Sequence, residues 1–216
     1  QRFNPITAYN EHLHTLIDFD IIAENPQRIV VDSMYGSGRG VIRGILQGTG
    51  CEVAEIRGDL NPGFGGIHPE PIARYLGALA GAVSTGLGNW GVATDGDADR
   101  IGVVDEKGNF INQLQVYALL MLYLLEVRQQ RGPIIKTVTS TIMADKLAKL
   151  YDVPVYETQV GFKYVGPKML EVNAIMGGEE SGGYAFAGNV PERDGILAGL
   201  YLLDFMVKTG KTPSQL

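Results

Sequence analysis

Three aspartates alternate through Asp95-Gly96-Asp97-Ala98-Asp99-Arg100, directly after the apolar run Trp90–Thr94. If the chain stays extended, positions i, i+2 and i+4 project to one side. Two carboxylates about 4 Å apart at an effective dielectric near 20 repel by roughly 4 kcal/mol, so three together call for a cation. Oxygen-only ligands select a hard one, Mg²⁺ or Ca²⁺. A Mg²⁺ on Asp95, Asp97 and Asp99 keeps other positions for water or a substrate phosphate. The fixed guanidinium fork of Arg100 suits a phosphate oxygen beside it. A solvated acidic turn is the plain alternative. An EF-hand loop counted from Asp95 puts Glu106 at its last position. It fails because Arg100 stands where that loop needs Gly and a β-branched run follows.

Four other segments carry polar groups worth placing. Gly177-Gly178-Glu179-Glu180-Ser181-Gly182-Gly183 is a hairpin tip that offers carboxylate and hydroxyl together, suited to sugar hydroxyls, although such turns are also common surface features. Lys163, in Val160-Gly161-Phe162-Lys163, sits at a strand-to-helix junction and adds positive charge there; a solvated lysine is the default. Gly36-Ser37-Gly38-Arg39-Gly40 follows a strand and opens a helix, with Glu55 beyond it roughly where a dinucleotide fold places its ribose-binding acid. The third glycine comes one residue too early for that fingerprint, and a tight turn is the simpler reading. Arg193 and Asp194 precede the last helix, where Asp194 is placed to cap it. His12, His14 and His68 have no partner suggesting a catalytic dyad.

Strands alternating with helices must position these loops. Tyr9–Ile22 has helical spacing, broken at Asn25-Pro26. Strands are predicted at Arg28–Val31, Cys51–Ile56 and Trp90–Thr94, with a hairpin of Ile101–Val104 and Phe110–Ile111. Helices are predicted after Gly40 to about Gln47 and over Glu70–Ala82, with Pro71 in the latter's first turn. The second half repeats the alternation. Helices are predicted at Gln113–Gln130, Thr141–Leu150, Phe162–Val172 and Glu192–Val207. Strands are predicted at Ile134–Thr139, Val153–Glu157, Ala174–Met176 and Tyr184–Phe186. The pattern implies an α/β fold: two consecutive α/β/α domains, residues 1–110 and 111–216, each a mostly parallel mixed sheet covered by helices.

Composition narrows the function classes. Eighteen basic and twenty-four acidic residues give −6, and no basic stripe is visible, which argues against a nucleic-acid partner. The hydrophobic fraction of 45% argues against disorder. The longest uncharged apolar run, Val116–Leu125, is half of the roughly 20 residues a membrane span needs, so no membrane partner is expected. The single cysteine, Cys51, cannot form an internal disulfide, and no Cys/His cluster suggests zinc. With no signal-peptide pattern, a reducing cytoplasm is the simplest expectation. The chain starts at Gln1 without Met and stops at Thr212-Pro213-Ser214-Gln215-Leu216, where a new segment begins, so it reads as an excised part of a longer protein.

Thr94-Asp95-Gly96-Asp97-Ala98-Asp99-Arg100 and Gly178-Glu179-Glu180-Ser181-Gly182, in this order, resemble the α-D-phosphohexomutase superfamily of phosphoglucomutases and phosphomannomutases. Phe64-Gly65-Gly66-Ile67-His68-Pro69-Glu70-Pro71, Val160-Gly161-Phe162-Lys163-Tyr164 and Pro191-Glu192-Arg193-Asp194-Gly195 resemble further family segments. The resemblance covers most of the chain and implies the second and third of the family's four domains. The first domain, with its phosphorylated serine, and the fourth, with its phosphate-gripping loop, have no counterpart here.

The resemblance implies that Asp95, Asp97 and Asp99 hold Mg²⁺ and that Arg100 stabilises charge on the transferring phosphoryl group. It implies that Glu179 and Ser181 contact sugar hydroxyls, that Lys163 faces the substrate and that Arg193 binds it. The implied reaction interconverts hexose 1-phosphate and hexose 6-phosphate through phosphoserine and a hexose 1,6-bisphosphate. Several phosphomannomutase-type members carry His at the position of Gly183. Its absence leaves the general acid/base and the glucose-versus-mannose preference open, while the Glu-Glu-Ser form leans toward phosphoglucomutase-like members. A non-catalytic phosphosugar-binding module and a nucleotide-dependent oxidoreductase using the Gly36 loop are the competing readings.

Overall fold

Side chains along the inner strands alternate between two cores, and this alternation sets the layers. The computed structural model describes residues 4–216. β1 (Arg28–Asp32), β2 (Glu52–Ile56), β3 (Trp90–Thr94), β4 (Ile101–Val104) and β5 (Phe110–Ile111) form one sheet in the order β2-β1-β3-β4-β5. The β1–β2 and β1–β3 pairs are parallel; β4 and β5 add antiparallel, as the expected hairpin. A second sheet has the order β7-β6-β8-β9, from β6 (Ile134–Thr137), β7 (Val155–Thr158), β8 (Met176–Gly178) and β9 (Tyr184–Phe186). Its β6–β7 and β6–β8 pairs are parallel and β8–β9 is antiparallel.

Parallel neighbours need crossovers. These run through α3 (Val41–Ile45) and α4 (Gly77–Ser84) in the first half, and α6 (Ile142–Tyr151) and α7 (Phe162–Val172) in the second. Ile29, Val31, Trp90, Val92, Ile101 and Val103 point into a large core. Their neighbours Val30, Ala93 and Val104 point the other way, onto Leu76, Leu79 and Val83 around α4. Ile134 joins the large core, while Ile135 packs with Phe162, Val165 and Met169 of α7. Both sheets are therefore covered on both faces.

The large core is shared by the two halves. Its centre is α8 (Gly195–Thr209), twelve of whose fifteen residues are buried. This helix touches β3 and β4 of the first sheet and β9 of the second, and it also packs on α5 (Gln113–Leu122). Buried Asp204 on α8 accepts the Tyr123 hydroxyl and, at 2.8 Å, Lys208 Nζ on Oδ2, while its Oδ1 is buried without a partner among the described residues. No helix among the described residues is long and apolar enough to cross a membrane.

Several element boundaries differ from the sequence reading, each for a local reason. The first predicted helix is two, α1 (Pro5–Leu16) and α2 (Phe19–Glu24), because Ile17 is extended and the Asp18 carboxylate accepts the Ile21 N–H as a new N-cap. The predicted helix Glu70–Ala82 does not start at Pro71. Between Pro69 and Ile72 the chain makes three-residue turns, Glu70 N–H to His68 O and Ile72 N–H to Glu70 O, and α4 begins only at Gly77. The helix from Gln113 loosens into a π-helical turn over Tyr123–Val127. α8 starts at Gly195 rather than Glu192, because Asp194 is its N-cap and accepts the Leu197 N–H at 2.8 Å.

Candidate functional site

The acidic segment begins where β3 ends, and it does not stay extended as the alternation suggested. Ala98 takes a left-handed conformation (φ +65°) and its N–H returns to the Asp95 carbonyl, so the segment is a tight turn. Inside it, Asp95 is 1% exposed. Its Oδ1 accepts the N–H groups of Asp99 and Arg100, each at 3.0 Å, and its Oδ2 accepts Arg100 Nε at 2.7 Å. Asp97 is exposed and Asp99 half-buried. The turn still converges the carboxylates: one oxygen from each of Asp95, Asp97 and Asp99 lies within 4.8 Å of the others.

That crowding has an electrostatic signature. Burial, together with the charges of Asp95 and Asp97, pushes the Asp99 carboxyl up to about 7, against the opposing pull of Arg193. A hard divalent cation relieves this repulsion. The donor set is oxygen only and its span suits one ion, so these residues fit Mg²⁺.

Arg100 does not project as a free fork. Besides Asp95 it reaches Glu70 Oε1 at 3.3 Å and lies 3.8 Å from Asp99 Oδ1. It neutralises part of the acidic turn and fixes its shape. Glu70 is a participant that sequence reasoning did not single out, and the proline-flanked turns around it were the available signal.

The Gly36–Gly40 loop braces the turn from below. Ser37 donates its N–H to Gly96 O at 2.9 Å. A Cβ at Gly36 would fall 2.5 Å from Asp95 O and 2.8 Å from Gly96 O, so glycine is needed for this approach. Glu55 is not free for a ribose. Its carboxylate accepts Ser33 Oγ and Gly40 N–H, each at 2.7 Å, and pairs with Arg43. The loop is a tight turn, as the simpler reading held.

The second loop follows β8. Glu179 is 5% exposed, and its Oε1 accepts the Gly161 N–H at 2.9 Å, which ties it to the turn before α7. Burial raises its carboxyl above the usual range, partly offset by that N–H and by Arg193. Glu180 is also buried in part, but hydrogen bonds from Thr139 and Thr137 hold its carboxyl below the usual range. Ser181 is half-buried at the tip. Lys163 is exposed on the first turn of α7, with Nζ 5.1 Å from the centre of the Tyr164 ring.

Backbone contacts join the two loops. Arg100 and Gly183 form an antiparallel bridge, and Gly195 N–H donates to Ala98 O at 3.1 Å. Arg193 crosses between them, with Nη2 2.7 Å from Asp99 Oδ2 and Nη1 3.7 Å from Glu179 Oε2. A depression of about 250 Å³ beside the acidic turn is lined by Ser37, Asp97, Asp99, Arg193 and Asp194. A larger one, about 810 Å³, lies between α3 and β2 and contains none of these groups.

The structure thus brings Asp95, Asp97, Asp99, Arg100, Glu179 and Arg193 into one constellation. Ser181 stands in the same loop as Glu179, and Lys163 two residues beyond the Gly161 that Glu179 holds.

The chain resembles known proteins over nearly its whole length. Residues 7–108 match the sequence model of phosphoglucomutase/phosphomannomutase alpha/beta/alpha domain II, and residues 112–216 match that of domain III. A phosphoglucomutase/phosphomannomutase of Thermococcus kodakarensis is 31% identical over 98% of this chain and 46% of its own length. A phosphoglucosamine mutase of Solidesulfovibrio magneticus is 32% identical over 96% of this chain and 46% of its own. The crystal structure of a putative phosphomannomutase from Thermus thermophilus superposes with a TM-score of 0.92 at 37% identity, covering 97% of this chain and 48% of that one. The chain belongs to the phosphoglucomutase/phosphomannomutase family, the α-D-phosphohexomutases. It spans about half the length of the curated relatives it matches.

Proposed function

We propose that this chain supplies the metal-binding and sugar-binding walls of a phosphohexomutase cleft, with the metal wall in residues 1–110 and the sugar wall in 111–216. The observation that carries the reading is the convergence of the Asp95, Asp97 and Asp99 carboxylates beside the Glu179–Ser181 loop. Asp95, Asp97 and Asp99 hold Mg²⁺, which supplies positive charge against the oxygens of a transferring phosphoryl group. Arg100 shapes the acidic turn and adds charge beside it. Glu179 and Ser181 accept and donate to sugar hydroxyls, and Arg193 and Lys163 face the phosphate. Phosphoryl transfer depends mainly on such positioning and electrostatics.

The reaction read from these parts interconverts hexose 1-phosphate and hexose 6-phosphate. A phosphoserine gives its phosphoryl group to the free sugar hydroxyl, and the resulting 1,6-bisphosphate returns the other one. The phosphoserine and the main phosphate-gripping loop belong to flanking domains, so the isolated chain is inactive. The names of the relatives span hexose and glucosamine phosphates, and Gly183 leaves the proton-transferring group open. One unpaired cysteine suits a reducing cytoplasm.

The alternative is a non-catalytic phosphosugar-binding module. Mixing the chain with the flanking domains of a relative tests the choice. Restored turnover of glucose 1-phosphate supports the mutase reading; binding of sugar phosphate without turnover in any combination supports the module.

A further inference from the structure

Arg193 lies in a track. Its stem runs across Gly183, where a Cβ would fall 2.8 Å from Arg193 Cγ, and its guanidinium lies 5.5 Å from the centre of the Phe162 ring. An acid stands at each end: Asp99, at 2.7 Å, and Glu179, at 3.7 Å. The backbone on its C-terminal side is held by Asp194. Asp194 caps α8, and it also accepts Tyr9 Oη at 2.8 Å and Asn189 Nδ2 at 3.0 Å. Arg193 Nε donates to exposed Glu192 Oε1 at 3.3 Å, so the guanidinium is shared among three carboxylates.

Arg193 and a divalent ion compete for the Asp99 carboxylate. An ion bound there weakens the carboxylate's pull on the guanidinium and repels it. We propose that Arg193 is a positioning residue that couples the two loops. Its guanidinium bridges Asp99 and Glu179, closer to Asp99; when Asp95, Asp97 and Asp99 take a divalent cation, Arg193 loosens from Asp99, shifts toward Glu179 and presents its fork to a phosphate oxygen of the sugar phosphate. This inference rests on the metal reading of the acidic turn. It accounts for Gly183, since a side chain there would occupy the track.

Two consequences follow from reciprocity between the sites. Arg193 competes with metal in the chain alone, so removing it tightens Mg²⁺ binding. Arg193 also carries the mutual support between metal and sugar phosphate, so removing it abolishes that support.

The test is calorimetric titration of Mg²⁺ into the 216-residue chain and into Arg193→Gln, with and without glucose 1,6-bisphosphate. Arg193→Lys, which keeps the charge but loses the fork, is the second variant should Arg193→Gln fold poorly. An ¹⁵N spectrum follows the Arg193 Nε–Hε resonance, identified by its loss in either variant. Arg193→Gln is expected to bind Mg²⁺ about fivefold more tightly than wild type, as loss of a competing ion pair of up to about 1 kcal/mol requires. The bisphosphate is expected to change its Mg²⁺ affinity less than about twofold. The Arg193 resonance of wild type is expected to shift on saturation with Mg²⁺. Weaker Mg²⁺ binding in Arg193→Gln marks a simple brace between the loops and overturns the proposal, as does an Arg193 resonance unmoved by metal. Equal Mg²⁺ binding in wild type and variant overturns it while leaving the metal site standing. Absence of Mg²⁺ binding in wild type removes the metal reading itself, and the proposal with it.

Discussion

Ile101 donates its backbone N–H to the carbonyl oxygen of Gly182 at 3.0 Å. The first residue of β4 is thereby joined to the end of the Glu179–Ser181 loop, next to the bridge between Arg100 and Gly183. The separation of the two loops is set by main chain rather than by long, mobile side chains. A site that must hold a phosphoryl group and a sugar ring at one fixed spacing gains from that rigidity.

Gly182 is the weak point of this seam. It has φ +94°, and a Cβ would fall 2.7 Å from Ile101 O and 2.8 Å from Gln113 Cγ. Gly182→Ala is expected to lower stability by about 2–4 kcal/mol, from backbone strain plus steric overlap. Urea denaturation measures it, and a change below about 0.5 kcal/mol would mean that the seam yields freely.

The three aspartates should separate by role. Asp97 is exposed and Asp95 buried with three donors on its carboxylate. Asp97→Asn is expected to weaken Mg²⁺ binding at least about tenfold with stability changed by no more than about 0.5 kcal/mol. Asp95→Asn is expected to lose about 2–3 kcal/mol of stability as well, because the bond to Arg100 loses its charge. Paired calorimetry and denaturation of both variants distinguish this from a turn in which the carboxylates are equivalent.

Asp99 sets the pH dependence. Its carboxyl stands at about 7 in the metal-free protein, so below that pH a metal ion must displace a proton. Between pH 8 and pH 6 the Mg²⁺ affinity is expected to fall about tenfold, with proton release on binding at the lower pH. The sign for folding follows from a raised carboxyl. As pH rises from the ordinary 3.8 through about 7, the metal-free chain loses stability, because the native state must give up a proton that it holds more tightly than the unfolded chain does. Saturating Mg²⁺ should remove that loss. Calorimetry in buffers of different ionisation enthalpy counts the protons, and an affinity flat across this range contradicts the crowding of Asp99.

Much of the architecture was legible because it rests on local signals. Short continuous apolar runs marked β1, β3 and β4, and Asp194 was placed to cap α8. The break at Asp18 and the turns at Pro69–Ile72 were missed because a capping carboxylate and flanking prolines overrode helical spacing. The acidic turn was found by residue type, yet its shape was misjudged. Extended alternation ignored the hydrogen bonds that Asp95 makes to its own loop. Arg100 was expected to offer its fork to a phosphate oxygen; its pairing with Asp95, Glu70 and Asp99 was not read, because tertiary contacts decide which carboxylate an arginine meets. The reach of Arg193 across to Asp99, ninety-four residues away in sequence, had no local signal.

The central claim is that the acidic turn and the Glu179–Ser181 loop form one site. Titrating Mg²⁺ into the chain at pH 8 with and without saturating glucose 1,6-bisphosphate tests it most directly. The account predicts that the bisphosphate tightens Mg²⁺ binding several-fold, about 1 kcal/mol of coupling or more. Mg²⁺ affinity that is indifferent to bound bisphosphate, or no Mg²⁺ binding at all, would contradict it.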